Sequence, residues 1–278
     1  MRSPHSMRFG YGTNGFANHR LADALSVIAD LGYEGVALTL DHDHLDPFAP
    51  DLARRTAEVA SMVDRLGLAV VIETGARYLL DPWRKHAPTL LDDDPAKRLE
   101  FLRLAVQIGA DLGAEAVSFW SGVALAGTPD PWDRLVRGCA AIVDVAAGAG
   151  VTLGFEPEPG MLVSDIADWR RLRADLGDPP GFGITLDIGH CRCLEPLPVP
   201  DCVTAVAEHL VNVQIDDMRR GVHEHLEFGT GEIDFPPVLR ALTEAGYRGL
   251  VAVELPRHSH AAPSVAAESI EFLRKAQP

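Results

Sequence analysis

The chain is short of basic residues. Lys and Arg number 25 against 40 Asp and Glu, a formal net charge of −15. Nucleic-acid affinity rests largely on Lys and Arg neutralising phosphates, so no nucleic-acid partner is expected. An anionic membrane surface is disfavoured on the same ground. No apolar run approaches the ~20 residues of a membrane span. The segment Met1 to Met7 lacks the hydrophobic stretch of a signal peptide. Cysteine is scarce: four in 278 residues are too few for a disulfide scaffold. Cys191-x-Cys193 also lacks the spacing of the usual zinc or redox pairs. These absences lead us to expect a cytoplasmic protein with free thiols and no structural disulfide. No Pro- or Ser-rich linker divides the chain. A chain of this length buries roughly 75% of its unfolded surface and needs no staple. We therefore expect one domain over residues 1–278, with 1–6 as a flexible N-terminal extension.

What is present is an alternation of strand and helix, eight times over. The β-rich apolar runs are Arg8–Tyr11, Gly35–Leu40, Ala69–Glu73, Ala116–Trp120, Thr152–Glu156, Phe182–Asp187, Leu210–Ile215 and Leu250–Leu255. Several are nearly continuous in Val, Ile, Leu, Phe and Ala, which suits parallel strands covered on both faces. Between them apolar residues recur at helical spacing: Leu21, Leu25 and Ile28; Val59, Val63 and Leu66 behind an expected N-cap at Asp51; Leu99, Leu102 and Val106. The same holds for Ile142, Val145 and Ala149; Ile166, Trp169 and Leu172; Val203, Val206 and Leu210; Val238 and Leu242; and Val265, Ile270 and Leu273. Glycines such as Gly67, Gly113 and Gly150 stand where helices should close. Eight such units predict an α/β fold, a single (β/α)8 TIM barrel. The alternative is an open doubly wound sheet. Gly10-Tyr11-Gly12-Thr13-Asn14-Gly15 matches a dinucleotide fingerprint. However, its helix starts only near Leu21 and no ribose-binding acid closes the second strand, so we read it as a chance match. The longest irregular stretch, 76–95 after the third strand, is expected to cover the active site or meet another subunit.

Barrel enzymes place their chemistry at the C-terminal ends of the strands. There the sequence offers Glu73, Trp120, Glu156 with Glu158, Asp187 with His190, Gln214 with Asp216 and Asp217, and Glu254. Four successive runs each deliver a polar oxygen group just after apolar residues. So many unpaired buried carboxylates are costly, and a divalent cation is the simplest neutraliser. Oxygen-rich ligation suits Mn²⁺ or Mg²⁺, and a histidine widens the choice to Co²⁺, Fe²⁺ or Zn²⁺.

The barrel order and four motifs resemble the xylose-isomerase-like TIM-barrel superfamily. These are Glu156 in Leu153-Gly154-Phe155-Glu156-Pro157-Glu158-Pro159-Gly160, Asp187 in Leu186-Asp187-Ile188-Gly189-His190, the Gly229-Thr230-Gly231-Glu232-Ile233-Asp234-Phe235 turn, and Glu254 in Val251-Ala252-Val253-Glu254. Within that superfamily the chain is similar to the sugar phosphate isomerase/epimerase group, which includes D-tagatose 3-epimerase-like enzymes and inosose dehydratases. The resemblance spans Met7 to Ala276. It implies one divalent metal, Mn²⁺ first, on Glu156, Asp187, Gln214 and Glu254. Gln214 departs from the pattern, because family members usually carry His there. A Gln amide oxygen still suits a hard cation, and His223 or His225 is the alternative ligand. The resemblance also implies that Glu156 and Glu254 are the acid/base pair. Substrate contacts are then expected from His190, Glu158, Glu73, Trp120, His225 and Arg219. Trp83, Phe16 and Tyr11 are further candidates for a sugar-stacking wall.

The implied reaction is isomerisation or epimerisation of a small sugar, keto-sugar or cyclitol through an enediolate. A lyase or dehydratase would use the same intermediate and expel a leaving group. A metal-poor, non-catalytic member, marked by Gln214, is the third reading. No phosphate-cradling Gly-rich turn with basic residues follows the last two strands, which slightly favours a free sugar or cyclitol. A homodimer is the expected assembly, as the commonest closed form.

Overall fold

A computed structural model of the chain describes residues 7–277, so the extension expected at 1–6 lies outside the described residues. The strands that build the barrel are β1 (Arg8–Gly12), β2 (Gly35–Thr39), β3 (Ala69–Glu73), β4 (Val117–Phe119), β5 (Leu153–Phe155), β6 (Phe182–Asp187), β7 (Leu210–Ile215) and β10 (Leu250–Val253). They close in the order β1-β10-β7-β6-β5-β4-β3-β2. Every neighbouring pair is parallel. The expected (β/α)8 architecture is therefore present. Around it run α1 (Leu21–Asp30), α2 (Leu52–Leu66), α3 (Ala96–Leu112), α4 (Pro131–Ala149) and α5 (Ile166–Asp175). They are followed by α6 (Ile188–Leu194), α7 (Val199–Val206), α8 (Phe235–Glu244) and α9 (Ala262–Ala276). No helix among the described residues is long and apolar enough to cross a membrane.

Two-residue alternation along each strand sorts its side chains. Val36, Leu38, Val70, Ile72, Val213, Ile215, Val251 and Val253 join the main core under the helices. Their neighbours Ala37, Val71, Leu250 and Ala252 form a separate cluster inside the barrel. Extending the inward register one step along each strand brings Glu73, Asp187, Gln214 and Glu254 to the interior. The middle of the barrel is polar. Ser118 Oγ and Thr185 Oγ1 lie 2.9 Å apart. Asn212 Nδ2 donates to Glu73 Oε1 at 3.3 Å.

Local details differ from expectation at four points. Asp51 stands at the α2 N-cap position but makes no cap, because its carboxylate is taken by Arg54. The buried face of α4 is Leu135, Cys139, Ile142 and Ala146, while Ala149 is exposed. Leu210 opens β7 rather than closing the preceding helix. The chain after β7 also folds into an antiparallel hairpin, β8 (Asp217–Arg219) and β9 (Val222–Leu226), which is not among the eight expected strand runs. The expected helix-closing glycines are present: Gly67, Gly113 and Gly150 are all left-handed. All four cysteines are free and buried.

Candidate active site

The strand ends open into a cavity of about 610 Å³. Glu73, Trp120, Glu156, Glu158, His190, Gln214, His225 and Glu254 all line it, as does His223. Of the expected metal ligands, acid/base pair and substrate contacts, Asp187 and Arg219 are not on its wall. Asp187 sits just behind, 1% exposed. Arg219 is exposed on β8 and donates to the Thr230 carbonyl at 2.9 Å, away from the cavity. The proposed stacking wall shrinks to Trp120. Tyr11 and Phe16 are fully buried and pack edge to face against each other, while Trp83 is 90% exposed and outside the cavity.

Each carboxylate is held by a specific element. Asp187 ends β6 and caps α6, with Oδ1 accepting from the His190 amide at 2.7 Å. That leaves Asp187 Oδ2 buried without a partner. Gln214 is its register partner on β7, and Gln214 Oε1 is likewise unpartnered. Glu254 follows β10; its amide donates to the Ile215 carbonyl at 3.1 Å and its Oε1 accepts from Asn14 Nδ2 at 3.0 Å. Glu156 follows β5, with Oε1 3.5 Å from His190 Nδ1. Asp216, wholly buried, faces His225 Nδ1 at 2.5 Å.

These groups cannot all carry charge in isolation. Burial, then Glu254, holds Glu73 and Glu156 well above the usual carboxylate range. Glu158 is pushed up to about 8 by burial and Glu254. Burial and Asp187 raise Asp216 well above its ordinary value, and burial raises Glu254. His190 is driven down to about 3 by burial. Burial opposes the charge on His225, but Asp216 carries it up to about 10. A divalent cation fits this donor set: two buried oxygens, on Asp187 and Gln214, lack partners beside surplus negative charge. Groups able to hold one include Glu156–Asp187–His190 and Asp187–Asp216–His225.

Asp217 has a different task from the one its position suggests. It is buried and binds backbone rather than the cavity. Its Oδ2 accepts from the amides of Gly229 at 2.9 Å and Gly231 at 2.8 Å, and its Oδ1 from Ile233 at 3.1 Å. Gly231 must be glycine for this clamp, since a Cβ there would stand 2.2 Å from Asp217 Oδ1. Asp217→Asn leaves one oxygen and sets an amide N–H₂ against donors. It is expected to cost about 2–3 kcal/mol of stability in urea denaturation. An unchanged midpoint would remove the clamp role.

The 76–95 segment does reach the cavity. Arg77, Tyr78, Lys85 and His86 line its mouth. Buried Arg98 ties the segment down, donating to the carbonyls of His86 at 2.6 Å, Pro88 at 2.9 Å and Thr74 at 3.2 Å. Its guanidinium also lies 4.8 Å from the centroid of Trp120, which fixes that ring. The sequence reading missed Asn14, Arg98 and the Asp216–His225 pair. One signal was available: His223-Glu224-His225 is an i, i+2 pair, which on a strand puts both rings on one face.

A closed eight-stranded parallel barrel with acids and histidines gathered at its strand ends is a TIM barrel with residues suited to a divalent ion. The family description "xylose isomerase-like TIM barrel" matches residues 25–276, and the chain belongs to that family. The L-ribulose-5-phosphate 3-epimerase UlaE of Shigella flexneri is 28% identical over 246 residues, covering 85% of this chain and 84% of the relative. An uncharacterized protein of Methanocaldococcus jannaschii is 24% identical, covering 89% and 83%. Among solved structures, D-allulose 3-epimerase from a Methylomonas species superposes with a TM-score of 0.77 at 20% identity, covering 99% of each chain. An L-ribulose 3-epimerase does so with a TM-score of 0.77 at 23% identity, covering 98% of this chain and 96% of that one. At such identity these two structures establish a shared fold.

Proposed function

We propose that the protein is a divalent-metal-dependent isomerase or epimerase of a small sugar, keto-sugar or cyclitol, acting through an enediolate. The observation that carries this reading is the convergence of Glu156, Asp187, Gln214 and Glu254, with the partnerless Asp187 Oδ2 and Gln214 Oε1 among them. The names of the relatives, sugar and sugar-phosphate 3-epimerases, support the same chemistry.

Glu156, Asp187, Gln214 and Glu254 would hold the cation, Mn²⁺ or Mg²⁺ in preference to Co²⁺, Fe²⁺ or Zn²⁺ because the donors are oxygens, with Mn²⁺ the first to test. When bound, the cation polarises a carbonyl and a neighbouring hydroxyl and offsets the enediolate charge. Glu156 and Glu254, from β5 and β10, act as the acid/base pair: one takes the proton next to the carbonyl and the other returns it. Asn14 fixes Glu254 through Oε1 and leaves the other oxygen for the proton. Glu158, with its carboxyl near 8, is protonated at neutral pH and donates a hydrogen bond to a substrate oxygen. Glu73, held by Asn212 and raised well above the usual carboxylate range by burial, presents a second carboxyl from the barrel interior. Trp120 supplies an apolar face for the sugar carbons.

The test is a panel of ketoses, inososes and 3-keto-glycosides, free and phosphorylated, with Mn²⁺ in D₂O. Proton NMR should show deuterium entering the carbon next to a carbonyl, with an epimer or isomer as product. Exchange followed by loss of water or another leaving group would make the protein a lyase instead. No exchange with any member would sink the reading.

A further inference from the structure

We infer that the sugar carries a terminal anionic group, a phosphate monoester or a carboxylate, and that Arg77, Lys85 and Arg257 hold it at the mouth of the cavity. The inference rests on the sugar reading of the site and narrows it. The cavity has two zones of opposite charge. Glu73, Glu156, Glu158 and Glu254 stand at the strand ends, while the mouth carries three cationic side chains. Arg77 and Lys85 come from the segment before α3, and Arg257 follows β10. An acid-lined cavity by itself repels an anionic ligand. A neutral ketose, in turn, has no need of three cations. A substrate with a polyol end and an anionic end suits both zones at once.

Arg77 is built into its place. Ala76 and Arg77 are both left-handed, with φ of 58° and 42°, which non-glycine residues rarely adopt. Such strain persists where surrounding structure holds it, and it gathers at ligand clamps. The Arg77 side chain is half-buried, and its Nη2 donates to the carbonyls of Asn14 at 3.1 Å and Pro256 at 3.5 Å. Its Nε and Nη1 have no partner among the described residues, so the guanidinium keeps donors for an oxyanion. Lys85 is exposed and makes no ion pair among the described residues. In a chain with 25 basic residues against 40 acidic ones, a cation without an acidic partner is the exception. Both cations act into the cavity. Burial raises the carboxyls of Glu158 and Glu254, and Lys85 and Arg77 respectively pull against that rise. Arg257 pairs with Glu224 at 3.2 Å, both side chains exposed, and so weak a pair yields readily to a ligand anion. The sequence offers no phosphate-cradling Gly-rich turn after the last two barrel strands. The structure supplies side-chain cations instead, two of them from the loop after β3.

The test is calorimetric binding to the full chain at low salt, with and without Mn²⁺. The probes are D-ribulose 5-phosphate and D-fructuronate, each against its neutral counterpart, D-ribulose and D-fructose. At least one anionic sugar should bind about tenfold or more tighter than its counterpart, the weight of a charge-assisted hydrogen bond. Added salt should shrink that advantage. Whichever sugar shows it identifies the anionic group. Lys85→Gln should cut the advantage several-fold, and the double variant Lys85→Gln/Arg257→Gln should erase it. Circular dichroism checks each variant for folding. Arg77 is left intact in both, because its contact with Asn14 also supports Glu254. Equal affinity for anionic and neutral sugars, no binding of either anionic sugar, or an advantage unchanged in the folded double variant would overturn the inference. Failure of the isomerase reading is distinguishable. Anion-dependent binding without deuterium exchange would sink that reading alone, and exchange on neutral sugars without an anionic advantage would sink this inference alone.

Discussion

Glu156→Gln is expected to stop deuterium exchange into substrate, with a loss of about 10²–10⁴-fold, the usual weight of a positioned acid or base. The substitution is nearly isosteric, so Phe119 can still accept from its backbone amide, as it does at 2.8 Å. Two effects contribute, and they separate. Removing a carboxylate weakens metal affinity, which excess Mn²⁺ compensates. Removing the proton carrier is not compensated by metal. Residual exchange should therefore stay low at saturating Mn²⁺. Glu254→Gln should behave alike, because it is the other member of the pair. Glu158→Gln is the contrast. Its carboxyl, near 8, is already neutral at pH 7. An amide preserves hydrogen-bond donation, and the loss should stay within about tenfold, one hydrogen bond's worth. Retained exchange in Glu156→Gln would remove that residue from the catalytic pair. Equal losses in Glu156→Gln and Glu158→Gln would contradict the assigned roles.

Chelated protein should lose stability as pH rises from about 6.5 to 8, and divalent metal should restore it. Glu158 holds its proton up to about 8 in the fold, against an ordinary value of 4.5. The stability this contributes is complete below the ordinary value and is lost as pH climbs through 8. His225, raised from 6.5 to about 10, acts with the same sign: its contribution is complete below 6.5 and declines above it. His190, lowered from 6.5 to about 3, acts oppositely, but its contribution is already complete above 6.5. The window from 6.5 to 8 therefore isolates the decline. A Tm lower by roughly 5 °C at pH 8 than at pH 6.5 is expected from a shift of one to two kcal/mol in a chain this size. Saturating Mn²⁺ should raise Tm at pH 8 by up to about 10 °C, as tight ligand binding adds up to about 4 kcal/mol. A chelated protein whose Tm holds or rises across the window, or gains nothing from metal, would refute the account.

Asp187 and Asp217 show the limits of reading such a site from sequence. Both follow apolar strand residues and both are buried. Asp187 keeps one oxygen free beside the cavity. Asp217 spends both of its oxygens on backbone amides of the turn around Gly231. Nothing in spacing distinguishes them, because the difference lies in where a distant loop returns. Arg219 and Trp83 carry the same lesson. Each is near the site in sequence, yet each side chain points away from the cavity.

The sequence by itself determined the barrel and the strand-end acids. A strand covered by helices must be apolar on its outer face, and the alternation that sends Val213 and Ile215 outward sends Gln214 inward. Those constraints are local and repeat eight times, so they are written into periodicity. Only the tertiary structure decided which oxygens lack partners and how the histidines group. His190 and His223 are 33 residues apart, and their nitrogens meet at 3.1 Å because the β8–β9 hairpin folds back over α6. Side-chain direction in loops depends on contacts between segments remote in the chain, and no local pattern records it.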